Sequence, residues 1–152
     1  MKIIESEPDK GIFKVRVTDM DDLWFLYQVI GKGSKISGVT FRKLEAKEDQ
    51  VRANDQPRVK VYLTIVVEEV EFHPFTDALR IKGNILEGPS DMSGHHTFNV
   101  DPGVTIDIEK PDITSEDKDL FIEAEEASQL PKALILMVDD ESAQLFRIRE
   151  YG

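Results

Sequence analysis

Six cations between residues 42 and 60, Arg42, Lys43, Lys47, Arg52, Arg58 and Lys60, are the side chains of this sequence best suited to meeting an anion. The segments around them alternate in the manner of strands: "KISGVTFRKL" before and "RVKVYLTIVVEEVEF" after. Residues 45–57, "EAKEDQVRANDQP", have almost no apolar content and end in proline, which predicts a mobile loop. Arg42 and Lys43 therefore close one strand, Arg58 and Lys60 open the next, and Lys47 and Arg52 lie between. If the strands pair as a hairpin, the six converge at one end of a sheet. A basic loop so placed follows a phosphate backbone through charge without reading sequence. The plainer alternative is a set of solvated strand ends that need no ligand.

Other chemistry is harder to assemble. Gly31 and Gly33 with Lys32 and Lys35 suggest a phosphate loop, but such a loop needs a longer glycine spacing and a following helix. Here a strand follows, so a turn is the better reading. The triplet Asp19, Asp21 and Asp22 could bind a metal, yet it stands where a helix would begin and is explained by capping. His95 and His96 are adjacent on a strand, so they point to opposite faces and cannot share one metal. His96 shares a face with Phe98 and Val100 and reads as a hydrogen-bonded, partly buried residue. No nucleophile with a base at a telling spacing stands out. Catalytic residues and metal ligands stay unassigned at this level.

Composition sets the bounds. A chain of 152 residues can hold one domain with a sizeable core and a short extra piece. No run approaches the roughly 18 apolar residues of a membrane span, and "MKIIESEPDK" lacks the apolar stretch of a signal peptide. Cysteine is absent, which removes disulfides and thiolate chemistry and suits a cytoplasmic protein. The net charge of −11 argues against a polyanion partner until its distribution is considered. Residues 1–60 carry twelve Lys and Arg against ten Asp and Glu, whereas residues 61–152 carry seven against twenty. A locally basic segment sits on an acidic body.

The elements that must position the cations can be read in order. "KIIESE" and "IFKVRVT" flank Pro8-Asp9-Lys10-Gly11 and predict a hairpin. Thr18 with Asp21 suggests a capping box for a helix carrying Leu23, Leu26, Tyr27 and Ile30 and stopping at Gly31. In the long strand from Arg58, Val59 to Val67 keep one face, but Val66, Val70 and Phe72 imply a change of face, as at a bulge in a barrel. "ALRIKGNIL", "HHTFNV" and "VTIDIEK" supply further strands. A second helix begins at Thr114 with Asp117 as its box, and Leu120, Ile122, Ala124, Ala127 and Leu130 form its apolar stripe. After Pro131, the apolar run 133–138 looks like a strand covered on both sides, turning at "DDES" into "AQLFRIRE". These readings give a mainly β fold with flanking helices over residues 1–130. Residues 131–152 are expected to be the first strands of a second, truncated α/β domain.

The stretch "DLWFLYQVIGKGSKISGVTFRKL" resembles the N-terminal domain of the Pelota family of ribosome-rescue factors. The resemblance is carried by Trp24, Tyr27, Gly31, Thr40, Arg42 and Lys43, continues through Gly83, His96 and Thr97, and extends to "ALILMVDDESAQLFRI", similar to the start of the Pelota central domain. Gly33-Ser34 stands where the family often has Gly-Asp. The resemblance implies an Sm-like small β-barrel that recognises stalled ribosomes in mRNA surveillance and no-go decay, at the ribosomal A site and decoding centre. It implies as partners ribosomal RNA and mRNA, a translational GTPase and a ribosome-splitting ATPase, the last two through later domains, with the full-length protein a cytoplasmic monomer. It also implies, as an alternative, an endoribonuclease activity dependent on a divalent metal cation. A third reading is a protein-binding barrel whose contact surface is the acidic helix 114–130.

Overall fold

The computed structural model describes residues 1–43, 58–73, 78–89, 94–130 and 133–148. Its strands are β1 (Lys2–Glu7), β2 (Ile12–Arg16), β3 (Lys35–Lys43), β4 (Arg58–His73), β5 (Ala78–Glu87), β6 (His95–Val100), β7 (Thr105–Glu109), β8 (Leu134–Val138) and β9 (Ala143–Arg147). Two helices, α1 (Met20–Val29) and α2 (Ser115–Gln129), complete the mainly β architecture. β1 to β7 form one antiparallel sheet in the order β1-β2-β7-β3-β4-β5-β6. β8 and β9 form a separate hairpin.

The first hairpin is closed by a single 3-10 turn, Pro8–Lys10. Proline presets its opening dihedral, and Gly11 ends it at φ 69°, where a Cβ would fall 2.1 Å from the Lys110 carbonyl oxygen. α1 is capped one residue later than the sequence suggests. Asp19, not Thr18, is the N-cap, accepting hydrogen bonds from the Asp21 and Asp22 amides at 3.0 and 3.3 Å. Asp22, not Asp21, completes the box. Its buried carboxylate accepts from the Thr18 amide at 2.6 Å, the Thr18 hydroxyl at 2.7 Å and the Asp19 amide at 3.2 Å. It also takes the Met1 ammonium, which donates as well to the Ala124 carbonyl of α2 at 3.2 Å. The acidic triplet is thus spent on helix initiation and on tying α1 to α2.

α2 begins where its sequence says it should. Thr114 and Asp117 form a reciprocal box, with bonds of 3.1 and 2.9 Å. Lys110 bridges the helices, donating to the last carbonyl of α1 at Val29 (3.0 Å) and pairing with Asp117 (2.6 Å). The apolar stripe of α2 is narrower than expected. Phe121 and Ala124 are buried, with Leu120 and Ala127 packed beside them, whereas Ile122 and Leu130 are exposed. Phe121 sets that rotation by stacking on Phe13 of β2, ring centroids 3.9 Å apart.

β4 changes face as its sequence requires. Leu63, Ile65 and Val67 point into the core; beyond Glu68 the half-buried residues are Val70 and Phe72. The ladder with β5 slips between Val67 and Glu69, so Glu68 is the extra residue of a bulge. Here β5 must come close. A Cβ on Gly83 would lie 2.1 Å from the Val66 carbonyl oxygen. The sheet also curls, because Thr40 of β3 reaches His96 of β6 at 3.0 Å although β4 and β5 lie between them. Among the described residues no ladder joins β6 to any strand but β5.

The run expected to be covered on both sides is instead open on both: Leu134 to Val138 keep 49–68% of their surface.

Two outcomes test this packing. Gly83→Ala should destabilise by about 2–4 kcal/mol, lowering the melting temperature by roughly 5–10 °C; Gly31→Ala, where nothing lies within 4 Å, should be close to neutral. Burial pushes the Asp117 carboxyl up, but the Lys110 ammonium and the Thr114 amide and hydroxyl outweigh it and hold it below the usual range. A carboxyl so lowered contributes stability that is present above about pH 4 and is lost as pH falls through its folded value. Asp117→Asn should therefore be less stable at pH 6 and lose less on going to pH 3, as measured by urea denaturation at both values.

Candidate nucleic-acid interface

β3 and β4 run as one antiparallel ribbon from the pair Lys35 and Val66 to the pair Lys43 and Arg58. The register places four of the six sequence-predicted cations at its far end: Arg42 opposite Val59, Lys43 opposite Arg58, and Lys60 opposite Phe41. Arg58 and Lys60 are exposed. Lys47 and Arg52 lie outside the described residues.

The cations at this end have no carboxylate partner among the described residues. Nearer the centre of the sheet two cations of the same outer surface are matched, Lys14 with Asp107 at 3.6 Å and Lys35 with Glu109 at 2.7 Å, while Arg16 is exposed and has no ion pair among the described residues. Among the described residues no carboxylate pairs with Arg58 or Lys60. Exposed pairs contribute little to stability, but they cancel local field. Among the described residues the distal end of the ribbon therefore presents cations without matching carboxylates, on a chain whose net charge is −11.

The root of the ribbon is held from both sides. On the outer face, Ser37 and Thr64 hydroxyls bond at 2.9 Å, and the Tyr62 hydroxyl donates to Asp107 at 2.8 Å. Partial burial first, and the Asp107 carboxylate second, push the Tyr62 phenol above its ordinary value. On the inner face, Thr40 meets His96, whose ring stands edge-on to Phe98 at 5.1 Å. His96 is thus partly buried and hydrogen-bonded, and its neighbour diverges as adjacent strand residues must. His95 pairs with Glu68, the bulge residue, at 3.1 Å, and Asn84 donates to the same carboxylate at 2.7 Å. His73 ends β4, and its side chain lies outside the described residues. Among the described residues no three His, Asp or Glu side chains gather where they could hold a metal ion.

Sequence reasoning missed the apolar members of this surface. Val39, Phe41 and Tyr62 keep 49%, 62% and 54% of their surface exposed. The signal was present: Ile36, Val39 and Phe41 do not fit a single alternation, so part of that run had to face outward.

A family model described as the Pelota N-terminal domain matches residues 1–125. The protein pelota homolog of Methanocaldococcus jannaschii is 40% identical over 154 aligned residues, covering all of this chain and 44% of that protein. Among solved structures, ribosome-bound archaeal Pelota with ABCE1 is similar at a TM-score of 0.73 and 31% identity, covering 100% of this chain and 43% of that one. Dom34 of S. cerevisiae, described as a translation termination-like factor of RNA quality control that interacts with Hbs1, is similar at a TM-score of 0.65, with 99% and 44% covered. At 20% identity it shares the fold. The chain spans less than half the length of these relatives.

Because Arg58 and Lys60 are exposed and carry no structural bond, replacing both with Gln should alter stability by less than about 0.5 kcal/mol. Thermal melts should shift by no more than about 2 °C.

Proposed function

From the premise that this chain belongs to the Pelota family, we propose that it is the RNA-facing module of a ribosome-rescue factor. In this reading it recognises stalled ribosomes in mRNA surveillance, entering the A site with the far end of the β3–β4 ribbon toward the decoding centre. The observation that carries the reading is the unneutralised end of that ribbon. Arg58 and Lys60 are exposed and have no carboxylate partner among the described residues, with Lys43 across the ladder, on an anionic chain. Charge so distributed orients a molecule as it approaches a polyanion: the acidic body is repelled and the ribbon end is attracted.

Further parts of the reading rest on the family. The archaeal Pelota to which this chain is similar is described as ribosome-bound together with ABCE1, which supports a partner of that kind for the complete protein. A translational GTPase belongs to the same picture. Both would act through domains other than this one, since the chain covers less than half of its relatives. The exposed apolar hairpin β8–β9 fits the opening strands of such a domain, with residues 1–130 as the N-terminal unit. The curl that brings Thr40 to His96 fits an Sm-like barrel. No described helix is long and apolar enough to cross a membrane, and a ribosomal role places the protein in the cytoplasm.

The endoribonuclease alternative needs acid–base or metal-ligating groups held around a phosphodiester. Among the described residues no three His, Asp or Glu side chains gather to hold a metal ion for it. The acidic outer face of α2, the basis of the protein-binding alternative, carries no feature beyond solvated charge.

The test is binding of the full chain to stalled ribosome complexes as salt is varied. Neutralising Arg42, Lys43, Arg52 and Arg58 together should weaken binding and flatten the dependence of log K on log salt by about 3, at roughly 0.7–0.9 per lost phosphate contact. Binding and slope equal to those of the unaltered chain would reject the ribbon end as the contact surface.

A further inference from the structure

Cations explain attraction to RNA, but not the two aromatic rings that the same ribbon leaves in solvent. Phe41 and Tyr62 are more than half exposed. Single exposed apolar residues are ordinary; the arrangement here is not. The pairs Val39 with Tyr62 and Phe41 with Lys60 are consecutive on the outer face, so the two rings are diagonal neighbours, about 7–8 Å apart in such a ladder. The next pair on that face is Lys43 with Arg58. The surface therefore reads, from root to tip, ring, ring with lysine, then the exposed Arg58.

Tyr62 is also preset. Its hydroxyl is fixed on Asp107, which holds the tip of the ring while more than half of the residue stays exposed. A ring fixed by one polar bond loses little freedom when a flat partner stacks on it. Rings of this kind beside unpaired cations are what unpaired nucleotides require: every base has a π-face, and stacking is indifferent to sequence, while the cations follow the phosphates. Duplex RNA keeps its bases stacked on each other and has no face to offer.

We propose that the outer face of the β3–β4 ribbon stacks unpaired RNA bases on Phe41 and Tyr62, with Lys60 and Arg58 on the adjoining phosphates. This rests on the RNA-facing reading above and deepens it. The ribbon would hold a single strand by its bases as well as by its charge, without selecting a sequence.

The experiment measures fluorescence anisotropy of the full chain with two probes of equal length and charge, a labelled oligoadenylate and its abasic counterpart. The paired substitution Phe41→Leu and Tyr62→Leu keeps apolar bulk and removes the rings. It should weaken oligoadenylate binding by about tenfold or more and leave abasic binding unchanged. Tyr62→Phe, which keeps the ring, should retain most of the affinity. Arg58→Gln with Lys60→Gln should weaken both probes alike. If the leucine pair binds oligoadenylate as tightly as the unaltered chain while the glutamine pair loses both probes, the stacking platform is wrong and the cationic interface stands. If the unaltered chain binds neither probe, both proposals fall. Equal losses on both probes with the leucine pair would also overturn stacking. So would self-association abolished by the leucine pair with RNA binding intact, which would make the surface a protein contact. Melting temperatures of all variants separate these outcomes from unfolding.

Discussion

The architecture depends on a backbone approach that allows no side chain. Where β5 passes the bulge of β4, Gly83 lies so close to Val66 that any Cβ would overlap its carbonyl oxygen. The approach lets one strand of sixteen residues serve two surfaces. Before Glu68, β4 buries Leu63, Ile65 and Val67 and pairs with β3 as the ribbon. After it, β4 turns its other parity inward and carries β5 and β6. Without the slip, a straight strand that buries Leu63, Ile65 and Val67 would turn Glu69 and Glu71 inward and Val70 and Phe72 outward together. The curl of the sheet follows from the same strand, and the curl brings His96 under Thr40 to brace the ribbon from within.

Much of the acidity of this chain is structural. Asp22 collects the start of the chain, Thr18 and the first turn of α1; Asp117 caps α2 and holds Lys110; Asp107 fixes Tyr62; Glu68 joins His95 and Asn84. Each of these carboxylates accepts from a named donor; those of Asp22 and Asp117 also meet a cation and helix amides, while Asp107 binds a hydroxyl and Glu68 a side-chain amide and an imidazole. Net charge alone is therefore a poor guide to partners. What matters is which cations remain unmatched, and among the described residues of the outer face those include Arg58 and Lys60 at the far end of the ribbon, as well as Arg16 on β2.

Local patterns carried most of the fold. The Thr114 and Asp117 box, the face change of β4, and the divergence of His95 from His96 follow from spacing, because each depends only on neighbours within a turn or a pleat. Where readings shifted, distant residues decided. Two overlapping boxes compete at the start of α1, Thr18 with Asp21 and Asp19 with Asp22. The second prevails because Asp22 also receives the Met1 ammonium, 21 positions away. Ile122 and Leu130 look like core in a helical wheel, but stacking of Phe121 on Phe13 rotates them outward. The cations of the interface were legible by type and order, whereas its rings were not. Val39 and Phe41 are good strand residues on either face, and only the register with β4 tells which way they point.

The length of the ribbon matters to its electrostatics. From the pair Ser37 and Thr64, level with Asp107, to the pair Lys43 and Arg58 is six residues along each strand, or roughly 20 Å. At physiological ionic strength the Debye length is about 8 Å, so the carboxylates at the root are screened from the tip by more than two such lengths. The cations at the tip are then screened from Asp107 and Glu109, although the chain as a whole is acidic. A shorter hairpin with the same residues would place those cations inside the field of Asp107 and Glu109 and lose the distinction. Length, as much as composition, lets an acidic protein present unmatched cations, and the ladder from Lys35 to Lys43 supplies that length.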